Sequence, residues 1–242
     1  MHRISLKSGN VAIFLAQFVL GLHLINLMFQ VNRFYGTGYD GHLYSLFHVG
    51  FDSNIPTWYS SWLLFLAALL SVLVSLGRIR GQNSGYPARK SWLGLALLLF
   101  LMSLDETAMM HERLGDIIEK QVQNLGGFFY YGWVLFGIPL GGLLLGLGYR
   151  MVVGLPQRVK RFCILAGVMF FTGALGFEML SANQAYIYGH VTFSLELLTA
   201  LEELFEMSAV VILIHALLIY VEQYFEPMQL TLGRLPEKVS RP

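Results

Sequence analysis

The sequence predicts an all-α integral membrane protein: a bundle of six transmembrane helices in a single domain spanning 1–242, with both termini cytoplasmic. Three observations predict it. The chain is 55% hydrophobic and only 13% charged, with a mean hydropathy of +0.58, whereas a soluble domain carries roughly 25% charged residues. Six apolar stretches, at 11–31, 57–76, 92–110, 128–152, 162–180 and 193–221, approach the roughly 20 residues that a spanning helix needs. Basic residues alternate between loops, as in a multi-pass chain.

Each segment has its own justification. The first follows a short basic start, Arg3 and Lys7. Its apolar run is too long for a secretory signal and no small-residue cleavage pattern follows, so it reads as an uncleaved signal anchor. Residues 32–56 form an outer loop rich in glycine and aromatics, with Asp40, His42, His48 and Asp52. It reads first as a plain interfacial loop, and alternatively as a cover that donates a ligand to a site. Pro56 and Thr57 open the second segment, since proline suits the first helical turn. The second loop carries Arg78, Arg80, Arg89 and Lys90, the fourth Arg150, Arg158, Lys160 and Arg161, and the tail 223–242 Arg234, Lys238 and Arg241. The alternate loops hold few bases, Arg33 in one and Arg113 and Lys120 in another, which places the basic loops and both ends in the cytoplasm. No period-2 pattern of a membrane barrel is present, and a helix satisfies its own backbone groups in lipid.

Small residues read as packing. Gly141, Gly142, Gly146 and Gly148 in the fourth segment and Gly173 and Gly176 in the fifth are expected to let helices approach closely. The single Cys163 allows no internal disulfide and reads as a packing residue. A net charge of +1 without a basic run gives no reason to expect a nucleic-acid partner.

The chemistry-bearing residues are acids inside apolar sequence. "SLDETAMMHERLG" follows "WLGLALLLFLM" with no Gly or Pro to stop the third segment before Asp105, Glu106, His111 and Glu112. The sixth segment carries Glu196, Glu202, Glu203 and Glu206, and the fifth Glu178. At about 1.5 Å per residue these reach a similar level in the outer part of the bilayer. On a continuous helix Asp105, Glu112 and Asp116 share one stripe, and Glu196 and Glu203 another. Ionised acids cannot share an apolar space uncompensated: they must hold protons, bind a cation or find bases, here Arg113, His111 and His23. A plain alternative makes "HERLGDIIEK" an amphipathic surface helix and Glu196 a helix-start acid. It does not account for Glu203 and Glu206, which have spanning sequence on both sides.

No H-E-x-x-H and no H-x-x-x-H pair occurs among the seven histidines, which disfavours a zinc hydrolase. Glu-x-x-His pairs of di-iron bundles are absent as well. His215 reads as a hydrogen-bonded interior histidine. The motifs "SLDETAMMHERLG", "NIPTWYSS" (Asn54 to Ser61) and "ALEELFEM" (Ala200 to Met207) resemble an uncharacterised family of bacterial polytopic inner-membrane proteins marked by SLDExxxxHE and EExxE. The resemblance implies that Asp105, Glu106, His111, Glu112, Glu202, Glu203 and Glu206 are its signature, without an activity attached.

The expectation is a metal site formed by Asp105, Glu106, His111, Glu112, Glu178, Glu202, Glu203 and Glu206, holding a divalent iron, manganese or zinc ion. Acids with one imidazole suit those metals better than copper(I). The site would belong to a membrane enzyme acting on a lipid or quinone-like substrate in the bacterial inner membrane. The alternatives are a proton- or cation-conducting channel or transporter using the same acids, and an accessory subunit of a larger membrane complex or a homo-oligomer.

Overall fold

The computed structural model describes residues 7–77, 87–122 and 125–225. The expected charges at Arg3, Arg78, Arg80, Arg234, Lys238 and Arg241, with the tail beyond 225, lie outside the described residues.

Six helices are long and apolar enough to cross a membrane. They are α1 (Ser8–Tyr35), α3 (Ile55–Leu76), α4 (Arg89–Ala108), α6 (Val134–Val153), the continuous run of α7 (Gln157–Phe171), a π-helical segment (Thr172–Phe177) and α8 (Glu178–Tyr188), and α9 (Phe193–Tyr224). Two shorter helices sit at one end, α2 (His42–Phe47) between α1 and α3, and α5 (Met110–Gln121) after α4. The six expected segments are all present. The fifth runs on past Leu180 to Tyr188, because Ser181, Ala182 and Ala185 form a buried face of α8 where the sequence looked polar enough to end a helix.

The third segment differs more. α4 stops at Ala108, and Met109 takes a left-handed conformation (φ 52°, ψ 45°) before α5 begins. That conformation is unfavourable for a residue with a side chain, so neighbours must hold it. The Met109 N–H donates to the Asp105 carbonyl at 2.8 Å, and the Asp105 carboxylate accepts the His111 N–H at 2.9 Å. The carboxylate does the work that a terminating glycine does elsewhere. The stripe linking Asp105, Glu112 and Asp116 therefore does not exist, and α5 is a separate helix whose only buried residue is Gly115.

α9 is the hub: it packs on α1, α3, α7, the π segment and α8, while α4 lies against α3 and α6 against α7. One core layer joins Leu15 and Val19 of α1, Leu63 and Ala67 of α3, Leu99 of α4 and Val210 and Ile214 of α9. A second lies nearer the basic end, where Trp92 stacks on Tyr220 at 5.3 Å. α3 and α4 exchange hydrogen bonds. Ser61 Oγ donates to the Ser103 carbonyl at 2.8 Å and Ser103 Oγ to the Ser61 carbonyl at 2.9 Å, a pairing worth about 0.6 kcal/mol per bond between spanning helices.

The glycines divide. Gly141 sits against Phe171, but a Cβ on Gly142, Gly146 or Gly148 would meet nothing within 4 Å, so those three do not pack helices of this chain together. Gly176 likewise has only Thr172 of its own helix nearby, at 3.8 Å. Gly173 is different: a Cβ there would lie 2.9 Å from the Glu202 carbonyl oxygen and 2.9 Å from Glu206 Cγ. The π segment can lie this close to α9 only because residue 173 has no side chain.

Gly167→Ala and Gly173→Ala should thus have opposite signs. Position 167 is open, so alanine gains about 0.5–1 kcal/mol of helix propensity. At 173 the clash with backbone costs about 1–3 kcal/mol. Thermal unfolding of both variants in detergent checks this, and equal shifts would refute the close approach.

Candidate functional site

α9 places Glu202, Glu203 and Glu206 within a little over one turn, so their side chains leave the helix over about 100° of its circumference. Different neighbours meet each. The Glu202 carboxyl is in hydrogen-bonding contact with that of Glu178 from α8. Glu203 lies within electrostatic reach of Glu106, Glu206, Glu178 and Asp52. Glu206 faces Glu106, Glu178, His111 and Asp105. Glu106, from the last turn of α4, accepts a hydrogen bond from the Ser60 hydroxyl of α3. Glu178 accepts one from Trp133 Nε1 at 2.6 Å.

Trp133 is the bracket of this end of the molecule. Its ring meets that of His111 edge-on at 5.2 Å, and Gly115 of α5 lies against its backbone and Cβ. Glu119 fixes the neighbouring turn by accepting the Gly132 N–H at 3.0 Å. Glu119 therefore serves the structure, while Arg113, Asp116 and Lys120 are exposed on α5.

His111 is the basic side chain set among the acids. Its Nδ1 lies 2.7 Å from Asp105 Oδ2, so both oxygens of Asp105 are engaged with one residue. Burial alone would pull the imidazole down. The hydrogen bond and charge of Asp105, helped by Glu112 and Glu178, outweigh it and hold His111 at about 9. The imidazole is then a cation through neutral pH and loses its proton as pH rises through that value. Burial and the charges of Asp52, Glu178 and Asp116 raise the neighbouring Glu112, against the pull of His111.

Asp105, Glu106, His111, Glu178, Glu202, Glu203 and Glu206 all keep part of their surface open although neighbours crowd them. They come from α4, α5, α8 and α9, and α9 packs against α3, α7, the π segment and α8. Among the described residues no three His, Cys, Asp or Glu side chains are gathered in a metal-ligand arrangement.

Glu196 goes elsewhere. Although it shares a face of α9 with Glu203, its carboxylate accepts from His48 Nε2 at 2.7 Å, Gln30 Nε2 at 3.0 Å and an Arg33 guanidinium N–H at 3.4 Å. His23 is also outside the cluster: its Nδ1 bonds the Val19 carbonyl at 2.8 Å. His215, expected to be hydrogen-bonded, packs edge-on against Phe162 at 4.9 Å, and its Nδ1 has no hydrogen-bond partner among the described residues.

Sequence reasoning missed Ser60 and Trp133 as partners of the acids, and the polar ridge of α1. That ridge was readable: His23, Asn26, Gln30 and Arg33 are spaced three, four and three apart, one face of a helix, and the first three are buried.

Long apolar helices around one central helix, with a carboxyl cluster at one end, define a multi-pass helical protein of membrane type. Neither the curated proteins nor the solved structures contain a match. The chain belongs to the family described as a domain of unknown function, DUF8692, whose model matches residues 11–221, from α1 to α9.

The coupling of His111 to Asp105 is open to direct measurement. An NMR titration should place the His111 midpoint at about 9, and Asp105→Asn should bring it to the ordinary 6.5 or below. An unchanged midpoint in the variant would refute the pairing.

Proposed function

We propose that the acids of α4, α8 and α9 form a divalent-cation site near the outer face of a bacterial inner-membrane protein, the centre of a membrane metalloenzyme acting on a lipid or quinone-like substrate. The observation that carries this reading is the meeting of Glu106, Glu178, Glu202, Glu203 and Glu206, from three spanning-length helices, with His111 as their basic neighbour. A single acid at mid-bilayer costs about 2.5–3.5 kcal/mol on insertion scales, so five at one level call for protons or a cation.

Glu203 and Glu206, with Glu106 opposite them, are the residues that would hold the ion. Glu178 and Glu202, in contact with each other, would complete the oxygen ligands. His111, bound to Asp105, serves as counter-charge. The oxygen-rich set fits iron, manganese or zinc, which when bound would supply Lewis-acid or redox chemistry.

Arg89, Lys90, Arg150, Arg158, Lys160 and Arg161 collect at the opposite end, which supports a cytoplasmic placement of that end and of both termini. The apolar layer of Leu63, Ala67, Leu99, Val210 and Ile214 lies on that side of the acids. It favours a site served from the outer face or outer leaflet over a path through the bundle. One observation favours a second reading, proton or cation passage: the carboxyls of Glu178 and Glu202 are in hydrogen-bonding contact between two spanning-length helices.

Elemental analysis of the detergent-purified protein beside Glu203→Gln tests the proposal. Near-stoichiometric iron, manganese or zinc is expected, lost in the variant. Because a metal displaces protons from these carboxyls, affinity should rise from about pH 5 to about pH 8. No metal after supplementation would sink the reading and leave proton or cation passage.

A further inference from the structure

Residues 48–54, between α2 and α3, lie along α9. His48 meets Glu196, Gly50 meets Thr199, and Asp52 comes within electrostatic reach of Glu203. Positions 196, 199 and 203 are three and four apart, one face of a helix, while residues 48–51 form a turn in which the Phe51 N–H donates to the His48 carbonyl at 3.3 Å. Fastenings hold this course at several points. A Cβ on Gly50 would lie 2.4 Å from Thr199 Cγ2, so only glycine fits there. Val49 N–H donates to Asn26 Oδ1 at 3.3 Å, and Asn54 Nδ2 to the His48 carbonyl at 2.7 Å. His48 uses both ring nitrogens: Nδ1 accepts the Gly50 N–H at 3.1 Å, which leaves Nε2–H to donate to Glu196. Asp52 itself is exposed on one side and faces His111, Glu106 and Glu112 on the other. It stands just before Ser53, which is in the left-handed region at φ 57°.

We infer that Glu196 and His48 are positioning residues that latch residues 48–54 as a strap across the mouth of the acid cluster, with Asp52 guarding the entrance. The inference rests on the cluster being a site reached from that end, whatever ion it takes. Glu196 is thus set apart from the other acids of α9: its oxygens are occupied by Gln30, Arg33 and His48, and its task is to keep the strap closed.

The test is the reactivity of a cysteine placed in the cluster, Glu203→Cys in a Cys163→Ser background, toward a charged, water-soluble methanethiosulfonate, with folding checked by monodispersity and helical content. Adding Glu196→Ala should speed modification by about tenfold or more, because the acceptor of the latch bond is lost. His48→Gln, which keeps an N–H donor for Glu196, should stay slow. His48→Ala carries the same expectation as Glu196→Ala should that variant fail to fold. Equal rates with and without the latch would overturn the inference. A wild-type protein without bound metal would leave these rates unaltered, so the two ideas fail separately.

Discussion

Three carboxyl groups within little more than one turn of a central helix form the constraint around which the acidic end of this molecule is arranged. A helix of spanning length tolerates such groups only where neighbours meet their oxygens. Each neighbouring element supplies something: α8 a carboxyl that pairs with Glu202, α4 the opposing Glu106, and the π segment a glycine that gives Glu206 room. The partners are in turn supported, Glu106 by Ser60 and Glu178 by the Trp133 indole. A π-helical turn is uncommon and concentrates near functional sites. Here it brings the run from α7 to α8 against α9 at the acids.

The segments themselves were legible because hydropathy is a summed property. A window of twenty residues averages over local exceptions, and the six stretches survive Pro139 inside α6 and the polar residues of α8. The ends were less legible, since one residue decides them. Met109 carries no mark of a helix stop, and its left-handed turn is explained by a carboxylate reaching forward six residues to His111. No periodicity count contains that contact. The glycines show the same limit from the other side: composition cannot separate Gly173, which touches α9, from Gly142, which touches nothing.

The grouping of the acids was legible in their residue types, and their partitioning less so. Glu106, Glu178, Glu202, Glu203 and Glu206 do come together, as acids too costly to bury separately had to. Asp105 and His111 also lie there, but bound to each other, so the pair is spent on turning the chain. Glu196 shares a helix and a face with Glu203 and yet belongs to another network, because α1 presents Gln30 and Arg33 at its level and not lower down.

The two histidine–carboxylate pairs occupy corresponding positions. Asp105–His111 clamps the turn from α4 into α5, and Glu196–His48 clamps the chain from α2 into α3. Each fastens a neighbouring segment to one end of a long helix. Both imidazoles are thereby committed to a carboxylate outside the five glutamates. A chain with Lys or Arg at this depth would neutralise them permanently. With His48 and His111 each paired to another carboxylate, most of the charge balance among the five glutamates falls to protons or a cation, the requirement on which the proposed site rests.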